Sequence, residues 1–186
     1  MSLIFVDDGS TDGTWSLLSL SEFAGYTALK VRLARNFGHQ TAVECGLSEI
    51  SADFVAVIDA DLQDPPELIE SMIDVLIESA GQADIVVGRR RSRAGETRFK
   101  KFSASLFYRL IDLLSDTPVN LDTGDFRVMT KSAAKLISSL PENDKFLRGL
   151  YSWAGLSSIE YVYDRDPRVA GETKYNLTKM LNLAVT

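Results

Sequence analysis

Four short apolar runs, Ile4–Val6, Leu29–Leu33, Phe54–Ile58 and Ile85–Val87, recur through the first half of the chain, each closed by a polar or glycine-containing turn. Between them lie stretches with helical spacing, Thr14–Phe23, Thr41–Ile50 and Pro66–Ser79. The last is the clearest: Pro66 suits a first turn, Glu67 favours the positive end of the helix dipole, and Leu68, Met72, Val75 and Leu76 repeat along one face. Runs this short and this apolar are buried on both sides, and strand–helix alternation predicts an α/β fold with a mostly parallel sheet and flanking helices. In such sheets ligands bind beyond the carboxyl ends of the strands. Two acidic segments fall there, Asp7-Asp8 and Asp59-Ala60-Asp61.

The second half departs from this rhythm. A basic loop spans 88–97, and Arg98–Ser115 is expected to be a helix with Phe99, Phe102, Leu106, Leu110 and Leu113 on one face. A turn-rich segment over 117–124 leads to a strand at Phe126–Met129. Helices at Ser132–Ser139 and Lys145–Trp153 precede a strand at Ser158–Tyr163, a polar loop over 164–173 and a last helix-like stretch carrying Leu177, Met180, Leu181 and Ala184.

At 186 residues the chain is one domain's worth, able to bury roughly two-thirds or more of its unfolded surface. A net charge of −6 argues against nucleic-acid partners, whose phosphates call for basic excess. The single cysteine, Cys45, cannot form an internal disulfide, which points to a reducing compartment. The single histidine, His39, excludes a multi-histidine zinc site; a surface or capping role is expected for it.

Ile58-Asp59-Ala60-Asp61-Leu62-Gln63-Asp64-Pro65-Pro66 carries the strongest chemical signal. In extended chain Asp59, Asp61 and Gln63 would project to one side and converge on a hard cation, Mg2+ or Mn2+, which accepts oxygen ligands and shares them with phosphates. The alternative is a solvated Asp-rich turn. Asp7-Asp8-Gly9-Ser10 offers carboxylates to a base or ribose, or caps the next helix. Asp125 and Arg127 stand where the sheet resumes, either as a site carboxylate with a phosphate-neutralising arginine or as an internal pair shaping the turn. Arg89–Lys101 holds seven of the 20 basic residues against one acid, Glu96, an anion-binding feature in an acidic chain.

Together these stretches resemble the inverting family 2 glycosyltransferases of GT-A fold, and more narrowly the polyprenyl-phosphate glycosyltransferases. The resemblance rests on Val6-Asp7-Asp8-Gly9-Ser10-Thr11-Asp12-Gly13-Thr14, Arg35-Asn36-Phe37-Gly38, Asp59 to Glu67, Thr123-Gly124-Asp125-Phe126-Arg127 and Gly171-Glu172-Thr173-Lys174-Tyr175. It implies that Asp7 and Asp8 lie at the nucleotide and that Asp59, Asp61 and Gln63 hold Mg2+ or Mn2+ on the donor diphosphate. Arg90, Lys101 and Ser105 would receive the acceptor phosphate. Asp125 and Arg127 would sit beside sugar and acceptor, and Arg168 and Lys174 near the diphosphate. The implied partners are a UDP- or GDP-sugar, a polyprenyl phosphate and a membrane surface on its cytoplasmic face; self-association into a homo-oligomer is left open. Alternatives are a soluble family 2 enzyme of polysaccharide synthesis and an inactive nucleotide-binding fragment. The family's first strand–helix unit, with its Pro-x-Tyr-Asn-Glu stretch, and the transmembrane helices that often follow the Lys-Tyr segment have no match here. The expectation is thus a single catalytic domain over 1–186 with an incomplete donor pocket that binds donor weakly or not at all.

Overall fold

The computed structural model describes residues 1–61, 63–91, 124–141 and 146–164. The expected helix over 98–115, the final helix-like stretch, and Lys101, Ser105, Arg168 and Lys174 lie outside the described residues. The elements run β1 (Ser2–Asp7), α1 (Thr14–Leu20), β2 (Thr27–Arg32), α2 (His39–Ser48), β3 (Phe54–Val57), α3 (Leu68–Glu78), β4 (Ile85–Arg90), β5 (Arg127–Thr130), α4 (Lys131–Ser139), α5 (Leu147–Trp153) and β6 (Ser158–Tyr163).

β1 and β2 pair in parallel, Ser2 opposite Thr27 through Asp7 opposite Arg32. The other four strands form a sheet in the order β3-β5-β4-β6. β4 and β6 are parallel, whereas β5 runs antiparallel to both of its neighbours. The α/β class with flanking helices holds, and the direction of β5 makes the larger sheet mixed. That direction matters for the site: Arg127 at the start of β5 lies opposite Val57 and Val87. The amino end of β5 therefore meets the carboxyl ends of β3 and β4.

Both faces of β4 and β5 are covered, which is why their apolar stretches lack polar alternation. Ile85 and Val87 of β4 and Met129 of β5 join Leu47, Ala133, Ala134, Ile137, Leu147 and Tyr151 beneath α2, α4 and α5. Val86 and Val128, on the opposite pleat, join Met72, Leu76, Phe126 and Tyr163 beneath α3. Met72 and Leu76, four residues apart, are the fully buried residues of α3, as its spacing predicts. α4 starts cleanly because the Thr130 hydroxyl accepts from the Ala133 amide at 3.3 Å. α1, by contrast, is short and buries no residue.

Candidate active site

The turn after β1 is built against the loop that precedes α2. Gly9 has φ +65°, and a Cβ there would come within 2.3 Å of the Arg35 carbonyl carbon, so only glycine permits this approach. Both oxygens of Asp8 accept backbone hydrogens from that loop, from Phe37 at 2.7 Å and Gly38 at 3.0 Å. Neither Asp8 nor Ser10 caps α1, whose first turn is instead met by the Asp12 carboxylate accepting from Thr14. Buried Asp7 accepts from the Ser10 amide at 3.2 Å and faces Arg32 Nε at 3.4 Å.

This scaffold delivers His39, the first residue of α2, between two other strand ends. Its Nε2 lies 3.2 Å from Asp125 Oδ2 and its Nδ1 lies 4.0 Å from Asp59 Oδ1. A site position for His39 was not legible in the sequence; its place directly after Arg35-Asn36-Phe37-Gly38 was the available signal. Burial raises the Asp59 carboxyl above the ordinary carboxylate range, His39 opposes the rise, and the neighbouring carboxylates Asp125, Asp61 and Asp64 add to it.

Asp59, Asp61 and Gln63 do not continue an extended strand, which corrects the alternation expected for them. β3 ends at Val57, and residues 60 and 61 lie in a turn. Asp61 Oδ1 accepts from the Gln63 amide at 3.1 Å, so the side chain folds back on its own backbone and closes the turn. Among the described residues no three acidic, imidazole or thiol groups converge on one point. The Asp59 carboxylate, crowded by Asp61, fits an open cation site, with amide, water and phosphate oxygens completing the shell. A closed protein cage is not the arrangement here.

Asp125 and Arg127 form an internal pair. Arg127 Nη2 lies 3.5 Å from Asp125 Oδ1, and the guanidinium also donates to the carbonyls of Gly124 at 3.0 Å and Asp125 at 3.2 Å. It is 4% exposed and stands 4.3 Å over the buried Tyr151 ring. Burial pushes the Tyr151 phenol up, with Arg127 opposing.

The basic segment at the end of β4 is sorted by strand alternation. Arg89 pairs with Glu160 of β6 at 2.8 Å and Arg91 with Asp164, just past the end of β6, at 3.0 Å. Arg90 points the other way: it bonds the Tyr163 hydroxyl and approaches Gly124, next to Asp125. The Tyr163 hydroxyl in turn donates to Asp64, which is 1% exposed, tying the Asp59–Pro66 segment to β6. Asp59, Asp61, Asp125, His39 and Arg90 thus gather at one end of the sheet, drawn from the loop before α2 and from β3, β4 and β5. Asp7 and Asp8 stand behind the loop that carries His39.

Comparison with known proteins bears on this arrangement. Over 183 residues the chain is 43% identical to the uncharacterized glycosyltransferase YkcC of Bacillus subtilis (strain 168), covering 98% of this chain and 56% of YkcC. It is 36% identical over 185 residues to the bactoprenol glucosyl transferase of Shigella phage SfV, covering 100% of this chain and 59% of that protein. It therefore spans less than two-thirds of these relatives' length. Among solved structures, glucosyl-3-phosphoglycerate synthase from Mycobacterium tuberculosis in complex with phosphoglyceric acid aligns with a TM-score of 0.56 at 20% identity, covering 91% of this chain and 62% of that one. The same enzyme with Mn2+, UDP-glucose and glycerol 3-phosphate aligns with a TM-score of 0.53 at 18% identity, covering 97% and 63%. These likenesses show the fold, an α/β fold of GT-A type. Residues 1–137, most of the chain, match glycosyl transferase family 2, and the chain belongs to that family.

Proposed function

We propose that this chain carries the catalytic site for transfer of a hexose, with inversion, from a UDP- or GDP-sugar to a polyprenyl phosphate at the cytoplasmic face of the cell membrane. The observation that carries the reading is the meeting of the Asp59/Asp61 turn, Asp125 and Arg90 at one end of the sheet. In this reading Asp59 and Asp61 supply cation ligands, Asp125 a sugar-side carboxylate and Arg90 an anion-binding guanidinium. Likeness to the phage bactoprenol glucosyl transferase supports a bactoprenol acceptor, and likeness to the synthase solved with Mn2+ and UDP-glucose supports a UDP-sugar with a divalent cation.

In the proposed reaction an oxygen of the acceptor phosphate forms the new bond to the anomeric carbon. The bond from that carbon to the donor diphosphate breaks, and the electron pair leaves with the nucleoside diphosphate. Asp59, Asp61 and Gln63 would hold Mg2+ or Mn2+, which supplies charge neutralisation on the leaving diphosphate when bound. Arg90 draws the acceptor phosphate to the site, with Lys101 and Ser105 as further ligands. Asp7 and Asp8 hold the nucleotide side, and Arg168 and Lys174 would serve as cationic ligands of the diphosphate. The acceptor is already anionic, so no deprotonation is required, and Asp125 orients and stabilises charge with Arg127 behind it. Among the described residues no helix is long and apolar enough to cross a membrane.

The test is transfer of radiolabelled sugar to polyprenyl phosphate by the protein expressed from its complete reading frame, with UDP-glucose, GDP-mannose and Mn2+ in separate arms. Label in the lipid fraction that requires both the phosphate and Mn2+ is expected. Transfer to soluble glycans alone would refute the lipid acceptor. An Asp125→Asn protein with near-normal turnover would remove Asp125 from the mechanism.

A further inference from the structure

We propose that His39 is the positioning residue for Asp125, donating its Nε2 hydrogen to Oδ2 and locking the carboxylate in one orientation between the donor side and the acceptor side. The inference rests on the reading of Asp125 as the sugar-side carboxylate.

Two contacts hold Asp125 from different directions. Oδ2 faces His39 Nε2 at 3.2 Å, and Oδ1 faces Arg127 Nη2 at 3.5 Å. The arginine is fixed on its own side by two backbone carbonyls and by the Tyr151 ring. The histidine is fixed on its side by a loop that cannot easily shift. The two Asp8 bonds hold the amides of Phe37 and Gly38, and Gly9 is pressed against Arg35. Gly38, with φ +101°, then turns the chain into α2 at His39. A carboxylate gripped by two anchored groups loses its rotation about χ2, which is the freedom that costs alignment at a reacting centre.

The ring also separates two carboxylates. Its far edge, Nδ1, lies 4.0 Å from Asp59 Oδ1, beyond hydrogen-bond length. Without the imidazole, Asp59 and Asp125 would face one another across the space it fills, and their repulsion would turn Asp125 away. One side chain from the loop before α2 therefore sets the relation between the cation-side and sugar-side carboxylates.

The test has two arms, a kinetic one on the protein expressed from its complete reading frame and a spectroscopic one on the 186-residue chain. In the kinetic arm, His39→Ala is expected to lower kcat about 10- to 100-fold, the scale of a lost orientation, while the donor KM stays within about threefold. His39→Gln, whose amide can donate from nearly the Nε2 position, is expected to recover at least about tenfold of a 100-fold loss. Either of two results overturns the inference: His39→Ala with kcat within about twofold of the unsubstituted protein, or His39→Gln as impaired as His39→Ala while both melt like the unsubstituted protein. The second arm needs no substrate. His39 is the sole histidine of the 186-residue chain, so its imidazole nitrogens are assigned in a 15N–1H spectrum of that chain without ambiguity. An Nε2-protonated ring whose signals move in Asp125→Asn supports the contact, and signals unmoved by that change overturn it. If the unsubstituted protein transfers nothing to polyprenyl phosphate, the acceptor assignment falls, and the His39–Asp125 contact still stands or falls on the spectrum.

Discussion

Replacing Tyr163 by Phe removes one oxygen from a buried junction and leaves the ring where it is. The hydroxyl donates to Asp64, which is 1% exposed, and also bonds Arg90. The ring packs edge-on against Phe126, with centroids 5.6 Å apart and planes at 78°, and that packing survives in Phe. The loss is therefore the donor to a buried carboxylate. Hydrogen bonds to charged groups contribute about 1.5–3 kcal/mol, so a net cost of about 2 kcal/mol is expected. For a chain of this size that lowers Tm by about 4–8 °C, at about 2–4 °C per kcal/mol. Asp64→Asn keeps an acceptor for the phenol and should cost less. The two changes together should cost less than their sum, because both act on the same bond. Urea denaturation with an unchanged m-value is the assay. There is an alkaline signature as well. Burial, with the bond to Asp64 adding to it, pushes the Tyr163 phenol from 10.0 up to about 12. The folded state then holds this proton more tightly than the unfolded chain, so stability falls as pH rises from about 10 to about 12. Tyr163→Phe lacks that decline, and its deficit relative to the unsubstituted protein should narrow across the window. A deficit below about 0.5 kcal/mol at neutral pH, within the scatter of surface substitutions, would refute the argument, as would a deficit that stays constant with pH.

Three further outcomes are expected. Gly88→Ala places a methyl 2.8 Å from Phe126 Cδ1 and 3.0 Å from Tyr163 Cε1; overpacking two buried rings should cost about 1–3 kcal/mol by denaturation, and an unchanged midpoint would show that the rings yield. Gly9→Ala forces a side chain into the left-handed region at about 1–2 kcal/mol and against the Arg35 backbone, so both stability and sugar transfer should fall; a fully active, equally stable variant would free the loop before α2 from its proposed anchoring. Asp59→Asn relieves a carboxyl raised by burial and by its acidic neighbours. The folded protein binds that proton more tightly than the unfolded chain, so stability is lost as pH rises through and just above the ordinary carboxylate range, and the Asn variant should lack this decline. Melted without metal the variant should match or exceed the unsubstituted protein, yet lose the rise in Tm that Mn2+ with UDP gives; a retained rise would remove Asp59 from the cation site.

Much of the architecture was legible because it rests on local patterns. Apolar runs of three to five residues mark buried strands, and the spacing of Met72 and Leu76 marks the inner face of α3. The Asp59–Pro66 segment stood out through composition and place. Its geometry was less legible, since the Asp61–Gln63 turn competes with the extended form that alternation assumes. The three successive arginines Arg89, Arg90 and Arg91 read as one basic patch in the sequence. Only the neighbouring strand separates them, because Glu160 on β6 and Asp164 just after it take Arg89 and Arg91 while Arg90 turns toward Gly124.

By itself, then, the sequence determined the strand–helix order, the covered sheet, the acidic strand ends and the family. Those properties follow from short-range periodicity and from motifs that carry their own chemistry. The tertiary structure alone decided that β5 enters antiparallel and that Asp125 consequently lies beside the ends of β3 and β4. It also decided that His39, far away in the chain, comes to rest between Asp59 and Asp125. Contacts across such separations depend on which strands pair and in which direction, and no local pattern encodes that choice.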